Sequence, residues 1–305
     1  MNTKSVAVIL STYNGERFLR EQVDSVIKQK DVNVTLYIRD DGSSDQTPQL
    51  IKSLADQYSP YIKYSLGNNI GVSQSFFELL VLAGDADYYA FCDQDDVWDE
   101  DKLSIAINSL SDSESIASMY FCKTLPVDKN LVPIDCENKS TDFQHVFNVH
   151  EVMTRNNVIG CTLVINRNLM DLVINYIPEQ VIMHDHWIYA ICIGTGGKII
   201  YDKNPHIKYR QHGANVVGNK KRMKNIFRHS SFSKTNHRIR SGMARFLLEN
   251  YRNELTKENI EIISRYAYYS DSIRKRFDLV FKESKYTRNV KKRILFSIEV
   301  LLGFF

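Results

Sequence analysis

Tyr88-Tyr89-Ala90-Phe91-Cys92-Asp93-Gln94-Asp95-Asp96-Val97-Trp98 joins an unbroken apolar run to three carboxylates within four residues. A run this short, bounded by polar residues, reads as a strand buried on both faces. Its abrupt end places the acids at the carboxyl lip of a sheet, where open α/β folds bind their ligands. Carboxylates this close repel and raise one another's pKa unless a cation neutralises them, so a divalent ion is the economical reading. Oxygen ligands favour Mg²⁺ or Mn²⁺, ions that keep positions open for substrate phosphates. The plainer alternative is an acidic helix start, because Asp favours helix N-termini.

Upstream, the same grammar repeats. A strand over about 5–11 precedes a helix over about 15–29, whose apolar face holds Phe18, Leu19, Val23, Val26 and Ile27. A second strand, Val34-Thr35-Leu36-Tyr37-Ile38, runs into Arg39-Asp40-Asp41-Gly42-Ser43-Ser44-Asp45 and a helix over about 47–57 with Pro48 in its first turn. A third strand over about 61–66 leads to a helix near 72–83. Repeated strand–helix units predict an α/β fold with a doubly wound, mostly parallel sheet. The loops after strands one, two and four then converge on one crevice. In the first, Ser11-Thr12-Tyr13-Asn14-Gly15, the Tyr13 ring can stack on a base. In the second, Gly42 permits positive φ, Asp45 can cap the next helix, and Asp41 can accept a hydrogen bond from a pyrimidine imide. Read singly, each loop is equally a turn rich in turn formers.

Together, Val8-Ile9-Leu10-Ser11-Thr12-Tyr13-Asn14-Gly15, Arg39-Asp40-Asp41-Gly42-Ser43-Ser44-Asp45 and Phe91-Cys92-Asp93-Gln94-Asp95-Asp96-Val97-Trp98 resemble the signatures of family 2 glycosyltransferases. The resemblance covers roughly residues 4–218. It implies a GT-A fold, a nucleotide-sugar donor, and a Mn²⁺ or Mg²⁺ ion held against the donor diphosphate. Carried onto this chain, Ser11, Tyr13 and Asp41 hold the nucleoside. Asp93 and Asp95 become the DxD carboxylates at ribose and metal, with Asp96 able to replace either. The family also places a base at the acceptor hydroxyl, and Met183-His184-Asp185-His186-Trp187 supplies Asp185 for it. His184 stands where many members have Glu, and the two histidines read more readily as packing or orienting groups than as catalysts. Further on, Tyr209-Arg210-Gln211-His212-Gly213 resembles the segment in which several members carry a metal-binding histidine. His212 is the implied third ligand and Arg210 an implied diphosphate contact. Among members, the motifs are most similar to bacterial rhamnosyltransferases of polysaccharide assembly. That similarity implies a dTDP-rhamnose donor, with a UDP-sugar as alternative, and a saccharide acceptor that is lipid-linked.

The chain has 305 residues, 43% of them hydrophobic, which is enough for a buried core. Five cysteines without a CxxC pair argue against a disulfide framework and for a reducing, cytosolic compartment. The apolar run at 5–10 is too short for a signal peptide or a membrane span. The net charge of +3 conceals a division near Gly218, since residues 219–305 hold 21 Lys and Arg against 8 Asp and Glu. The expected organisation is a GT-A catalytic domain over 1–218 and a basic, mainly helical region over 219–305. Basic clusters at 220–240 and 291–293, followed by apolar Ile294 to Phe305, suit a membrane interface and a peripheral position at its inner face. Packing on the catalytic domain or homo-oligomerisation is the alternative for this region. Nucleic-acid binding is not expected, because no recognised module is present. The main competing chemistry is a metal-dependent hydrolase built on Asp93, Asp95, His184, His186 and His212.

Overall fold

The computed structural model describes residues 3–134, 147–179, 181–212, 239–287 and 289–305. The expected boundary at Gly218 and the basic cluster at 220–238 lie outside the described residues. Among those described, eight strands form one sheet in the order β3-β2-β1-β4-β7-β6-β8-β5. They are β1 (Ser5–Thr12), β2 (Asn33–Asp40), β3 (Ile62–Leu66), β4 (Tyr88–Cys92), β5 (Val97–Trp98), β6 (Ser118–Val127), β7 (Val164–Asn166) and β8 (Lys198–Arg210). The first four pair in parallel, as the alternation with α1 (Leu19–Ile27), α2 (Thr47–Gln57) and α3 (Val72–Ala83) requires. Beyond β4 the sheet changes character: β7 runs antiparallel to both β4 and β6, and β6 returns parallel to β8.

β1 lies between β2 and β4, so its neighbours' crossovers leave in opposite directions and open a crevice at the strands' carboxyl ends. Val8, Leu10, Leu36, Ile38, Ala90 and Cys92 are all buried in one core, as near-continuous apolar strands demand. Two expectations needed adjustment. α1 starts at Leu19 rather than near 15, because Gly15 to Phe18 form a turn wired to the next loop: Thr47 Oγ1 accepts the Gly15 N–H at 2.9 Å, and Glu16 accepts that of Gln46 at 2.7 Å. The apolar stretch over 161–166 predicts a strand, which begins only at Val164, after a 3-10 turn over Gly160–Thr162.

The chain divides into two compact units that interleave along the sequence. The first takes residues up to Phe143, Val158–Ile177 and Gly197–His212, and so contains the sheet, α4 (Lys102–Leu110) and α6 (Arg167–Asn175). The second takes Gln144–Asn157, Pro178–Gly196 and everything from Gly213. Its described helices are α5 (Val149–Thr154), α7 (His184–Gly194), α8 (Ile239–Asn250), α9 (Lys257–Tyr268), α10 (Ile273–Glu283) and α11 (Val290–Leu302). The helical C-terminal region is therefore present as expected. Side-chain caps start four of these helices: Asn148, Thr256, Ser272 and Asn289 accept the backbone N–H of Glu151, Asn259, Lys275 and Lys292.

A charged knot holds the second unit. Glu283 is fully buried and accepts from Arg265 Nη1 and the Tyr266 hydroxyl, each at 2.9 Å, and it pairs with His150 Nδ1. Burial pushes the Glu283 carboxyl up, but His150 and Arg265 overcome it and hold the group below its ordinary value. A carboxylate whose folded pKa is depressed contributes stability above the unfolded value, and that stability is lost as pH falls through the folded value. The second unit should therefore loosen as pH drops below about 4. Glu283→Ala should cost about 3 kcal/mol at neutral pH and flatten that acid dependence, as urea unfolding monitored at several pH values would show.

Candidate active site

The three expected loops meet at the carboxyl ends of β1, β2 and β4. Strand register brings Thr12 opposite Asp40 and Leu10 opposite Cys92, so their successors Tyr13, Asp41 and Asp93 emerge on one edge. Side chains tie the loops together. Gln94 Oε1 accepts from Thr12 Oγ1 at 2.6 Å and from the Tyr13 N–H at 2.8 Å, while its Nε2 donates to the Tyr13 carbonyl at 3.3 Å. Asn14, at φ 51°, spans the other side, donating its N–H to Ser43 Oγ and accepting the Ser44 N–H, both at 2.8 Å. Gly15 must lack a side chain here, since a Cβ would lie 2.5 Å from both Gln94 Oε1 and Thr12 Oγ1.

Within the second loop, Asp41 is buried. It accepts from Arg39 Nη1, from Ile70 N–H at 2.9 Å and from Gly71 N–H at 3.0 Å. Gly42, at φ 80°, allows the close approach that these bonds need, because a Cβ there would sit 2.9 Å from the Asn69 nitrogen. Ser11 donates to Ser75 Oγ at 2.7 Å, which brings α3 to the same edge. Tyr13 is 49% exposed, with its ring at the rim of the crevice. Asp45 accepts the Thr47 N–H at 3.0 Å, but the N-cap position of α2 is held by Gln46, which makes no side-chain cap.

The acidic turn divides into two parts. Asp95 Oδ2 meets His212 Nε2 at 2.7 Å, joining the third loop to the segment just past β8. Burial raises the Asp95 pKa, with His212 and Arg210 opposing the rise. Asp96 is wholly buried. Its Oδ1 accepts the Arg210 backbone N–H at 3.0 Å, and its Oδ2 finds no nitrogen or oxygen donor among the described residues. Burial, then the neighbouring charges of Asp93 and Asp95, pushes its pKa well above the ordinary range. Asp93, Asp96 and the Cys161 thiol lie within 4.8 Å of one another, Cys161 being delivered by the 3-10 turn before β7. Burial, with the same carboxylates, pushes the pKa of that thiol up. A metal fits the Asp93 and Asp96 side of the turn, with its carboxylate oxygens, a buried oxygen without a nitrogen or oxygen donor, and a repulsion that a cation would relieve, whereas the imidazole of His212 is turned to Asp95.

Arg210, expected at the diphosphate, points inward instead. Its Nε donates to the Asp95 carbonyl at 2.7 Å, Nη1 to the Lys129 carbonyl at 2.6 Å and Nη2 to Glu21 at 2.5 Å. The guanidinium carbon lies 4.4 Å from the centre of the Phe18 ring, and the same ring packs on His212 at 4.9 Å. Arg210 thus braces the acidic turn from behind. The sequence assigns no site role to Gln94, Glu21 or Arg39, and places Phe18 only on the apolar face of the first helix. Gln94 alone carried a signal, as the one amide inside an acidic motif.

Asp185 lies in the first turn of α7, in the second unit, and is buried. Its Oδ1 accepts the His186 N–H at 2.7 Å. Burial lowers the pKa of His184 to about 3 and of His186 to about 4, so both rings are neutral. His186 Nε2 is bonded to the Val152 carbonyl at 2.6 Å. Both rings are buried, and the bond from His186 to Val152 favours the packing reading for that residue.

Comparison with known proteins bears on this geometry. Residues 7–158 match Glycosyl transferase family 2. The dTDP-rhamnosyl transferase RfbG of Shigella flexneri is 30% identical over 221 residues, covering 68% of this chain and 73% of its own length. Among solved structures, S. aureus TarS 1–349 in complex with UDP-GlcNAc superposes with a TM-score of 0.62 at 16% identity, over 98% of this chain and 80% of that one. The mannosyltransferase PcManGT from Pyrobaculum calidifontis, in complex with GDP-Man and Mn²⁺, gives 0.57 at 15% identity, over 100% and 82%. These superpositions establish the fold as GT-A. The sequence match and its three motif loops make the chain a glycosyltransferase, a member of Glycosyl transferase family 2.

Proposed function

We propose that this enzyme is an inverting, metal-dependent transferase that moves rhamnose from dTDP-rhamnose to a lipid-linked saccharide in cell-surface polysaccharide synthesis. It would work as a peripheral protein at the inner face of the membrane. The single observation that carries the reading is the joining of the Tyr13 loop, the Asp41 loop and the Asp93-to-Asp96 turn at one sheet edge, with Asp95 paired to His212. The rhamnosyl donor is supported by the Shigella flexneri relative. A UDP-hexose donor is the second reading for the same pocket.

In this reading Ser11, Tyr13 and Asp41 receive the nucleoside, with the exposed Tyr13 ring stacking on the base. Asp41 is preset by Arg39 and two backbone N–H groups, so it costs no reorganisation when the donor arrives. Asp93 faces the ribose, and Asp95, Asp96 and His212 hold Mn²⁺ or Mg²⁺. Bound there, the ion would supply positive charge to the departing diphosphate. Arg210 is a positioning residue that fixes both carboxylates of the turn. Asp185 is assigned the acceptor proton on the strength of its motif and its place at the start of α7. As the acceptor oxygen bonds to the anomeric carbon, the carbon–oxygen bond to the diphosphate breaks. The hydroxyl proton passes to Asp185, the nucleoside diphosphate leaves, and one displacement inverts the centre.

Donor selection tests the proposal directly. Purified protein with Mn²⁺ or Mg²⁺ should bind one dTDP- or UDP-sugar from a panel and hydrolyse it slowly. Asp95→Ala should abolish the metal dependence of binding, and Asp185→Ala should spare binding while lowering turnover about 10²–10⁴-fold. Failure of every nucleotide sugar to bind would sink the assignment and bring the hydrolase forward. A separate consequence concerns the loop clasp: Gln94→Ala removes bonds worth about 1–1.5 kcal/mol, so the donor KM should rise about tenfold with kcat little changed. An equal loss in kcat with KM unmoved would show that Gln94 acts on the reaction rather than on the loop.

A further inference from the structure

α10 and α11 are amphipathic in an inverted sense. Each buries one face within the second unit, through Leu279 and Glu283 on α10 and through Phe296 and Val300 on α11. Their other faces carry large apolar side chains into solvent: Ile273, Phe277 and Phe281 on α10, and Ile294, Ile298 and Leu302 on α11. Both triads recur every fourth residue and so form one stripe per helix. Exposure runs from 49% at Ile298 to 86% at Phe281. A soluble helix normally turns such a stripe to the core, and contiguous exposed apolar surface marks a binding face.

The face is built rather than frayed. Arg276 Nη1 donates to the Leu301 carbonyl at 2.8 Å, tying α10 to the end of α11. Gly303, at φ 79°, turns the chain back so that the Phe304 N–H reaches the Glu299 carbonyl at 2.8 Å. Phe305 then seats its ring 5.0 Å from Phe296 and 5.9 Å from Tyr266, and its carbonyl accepts from the Tyr269 hydroxyl at 2.9 Å.

Charge decides what covers it. Residues 273–305 hold nine Lys and Arg against Asp278, Glu283 and Glu299, and Glu283 is buried. Lys275, Lys282, Lys285, Lys291 and Lys292 are all exposed around the stripes. Lysine is depleted from interfaces between proteins, and a second copy would bring the same positive charge against its own. Phenylalanine and isoleucine below a fringe of lysine match the boundary between acyl chains and anionic headgroups.

We infer that α10 and α11 together form a membrane-docking face that inserts Phe277, Phe281, Ile294 and Ile298 into an anionic lipid surface. This deepens the membrane part of the proposed function and rests on that reading. Flotation of the full chain with phosphatidylglycerol vesicles and with phosphatidylcholine vesicles tests it, with slow donor hydrolysis in solution measured on the same samples. The full chain should bind phosphatidylglycerol preferentially and release at high salt. Phe277→Ser, Phe281→Ser and Ile298→Ser combined should weaken partitioning at least about tenfold, with donor hydrolysis unchanged, because all three side chains are exposed and none belongs to the donor-binding loops. If the wild-type chain floats but the triple variant floats equally, docking lies elsewhere and this inference falls while the membrane reading survives. Absence of flotation with either lipid overturns both. In that case, a wild-type dimer that the triple variant converts to monomer identifies the face as a contact between copies.

Discussion

Three carboxylates crowded at the end of one buried strand are the constraint around which the first unit is arranged. Asp95 and Asp96 are almost without solvent, and burial alone would drive each toward its neutral form. The surrounding structure answers with donors drawn from far along the chain. Arg210 presents its backbone N–H to Asp96 and its side chain to the Asp95 carbonyl, and His212 closes on the Asp95 carboxylate. Beneath them Lys102 is fully buried, its ammonium 3.6 Å from the centre of the Trp98 ring, with its pKa lowered by burial and supported by the nearby Asp96. Each of these groups would be a poor choice for stability alone. Their joint presence accords with the proposal that a cation and a diphosphate are received here.

That requirement also explains why the sheet changes direction after β4. A parallel continuation would return the chain only through another crossover helix. The antiparallel β7 instead runs back from the crevice, and the turn before it sets Cys161 beside Asp93 and Asp96. β8 then runs parallel to β6 and ends at Arg210, with antiparallel β5 along its other side. The strand that braces the acidic turn is therefore hydrogen-bonded to the residues that immediately follow that turn, Val97 and Trp98. Little backbone freedom is left between them.

Much of this was legible because it is local. Apolar runs with abrupt polar ends located β1, β2 and β4, and with them all three loops. The helix over 72–83 was read to the residue, because its apolar stripe lies between two glycines, Gly71 and Gly84, both at positive φ. What escaped notice depends on distance along the chain. Arg210 is separated from Asp95 by 115 positions and from Glu21 by 189, and no window of sequence contains such pairs. As a basic residue near a phosphate motif it suggested a phosphate contact, whereas its fixed fork is used to span two carbonyls and a carboxylate. α6 was missed for the opposite reason. Its start is set by one side chain, Asn166, which accepts the Leu169 N–H, and its nine residues bury only Leu169, Met170 and Val173.

Electrostatics draws one further distinction between the two parts of the chain. In the first unit charge is concentrated inside, where acidic groups without solvent call for a counter-ion. In the C-terminal helices it is spread outside, where lysines surround side chains that would normally be buried. Interior and exterior placement select different partners: a buried carboxylate gains most from a compact ion and its phosphate ligands, whereas a dispersed cationic fringe gains from an extended anionic surface. The Glu283 knot shows that this is not a matter of composition alone. The same basic region can bury a carboxylate and satisfy it fully with His150, Arg265 and Tyr266 where the fold needs a rigid joint. Ile273, Phe277 and Phe281 lie on the same helix as Glu283 and receive no such cover. A helix held this firmly on its inner face has no need to hide its outer one for the sake of folding, which leaves that outer face free to serve binding.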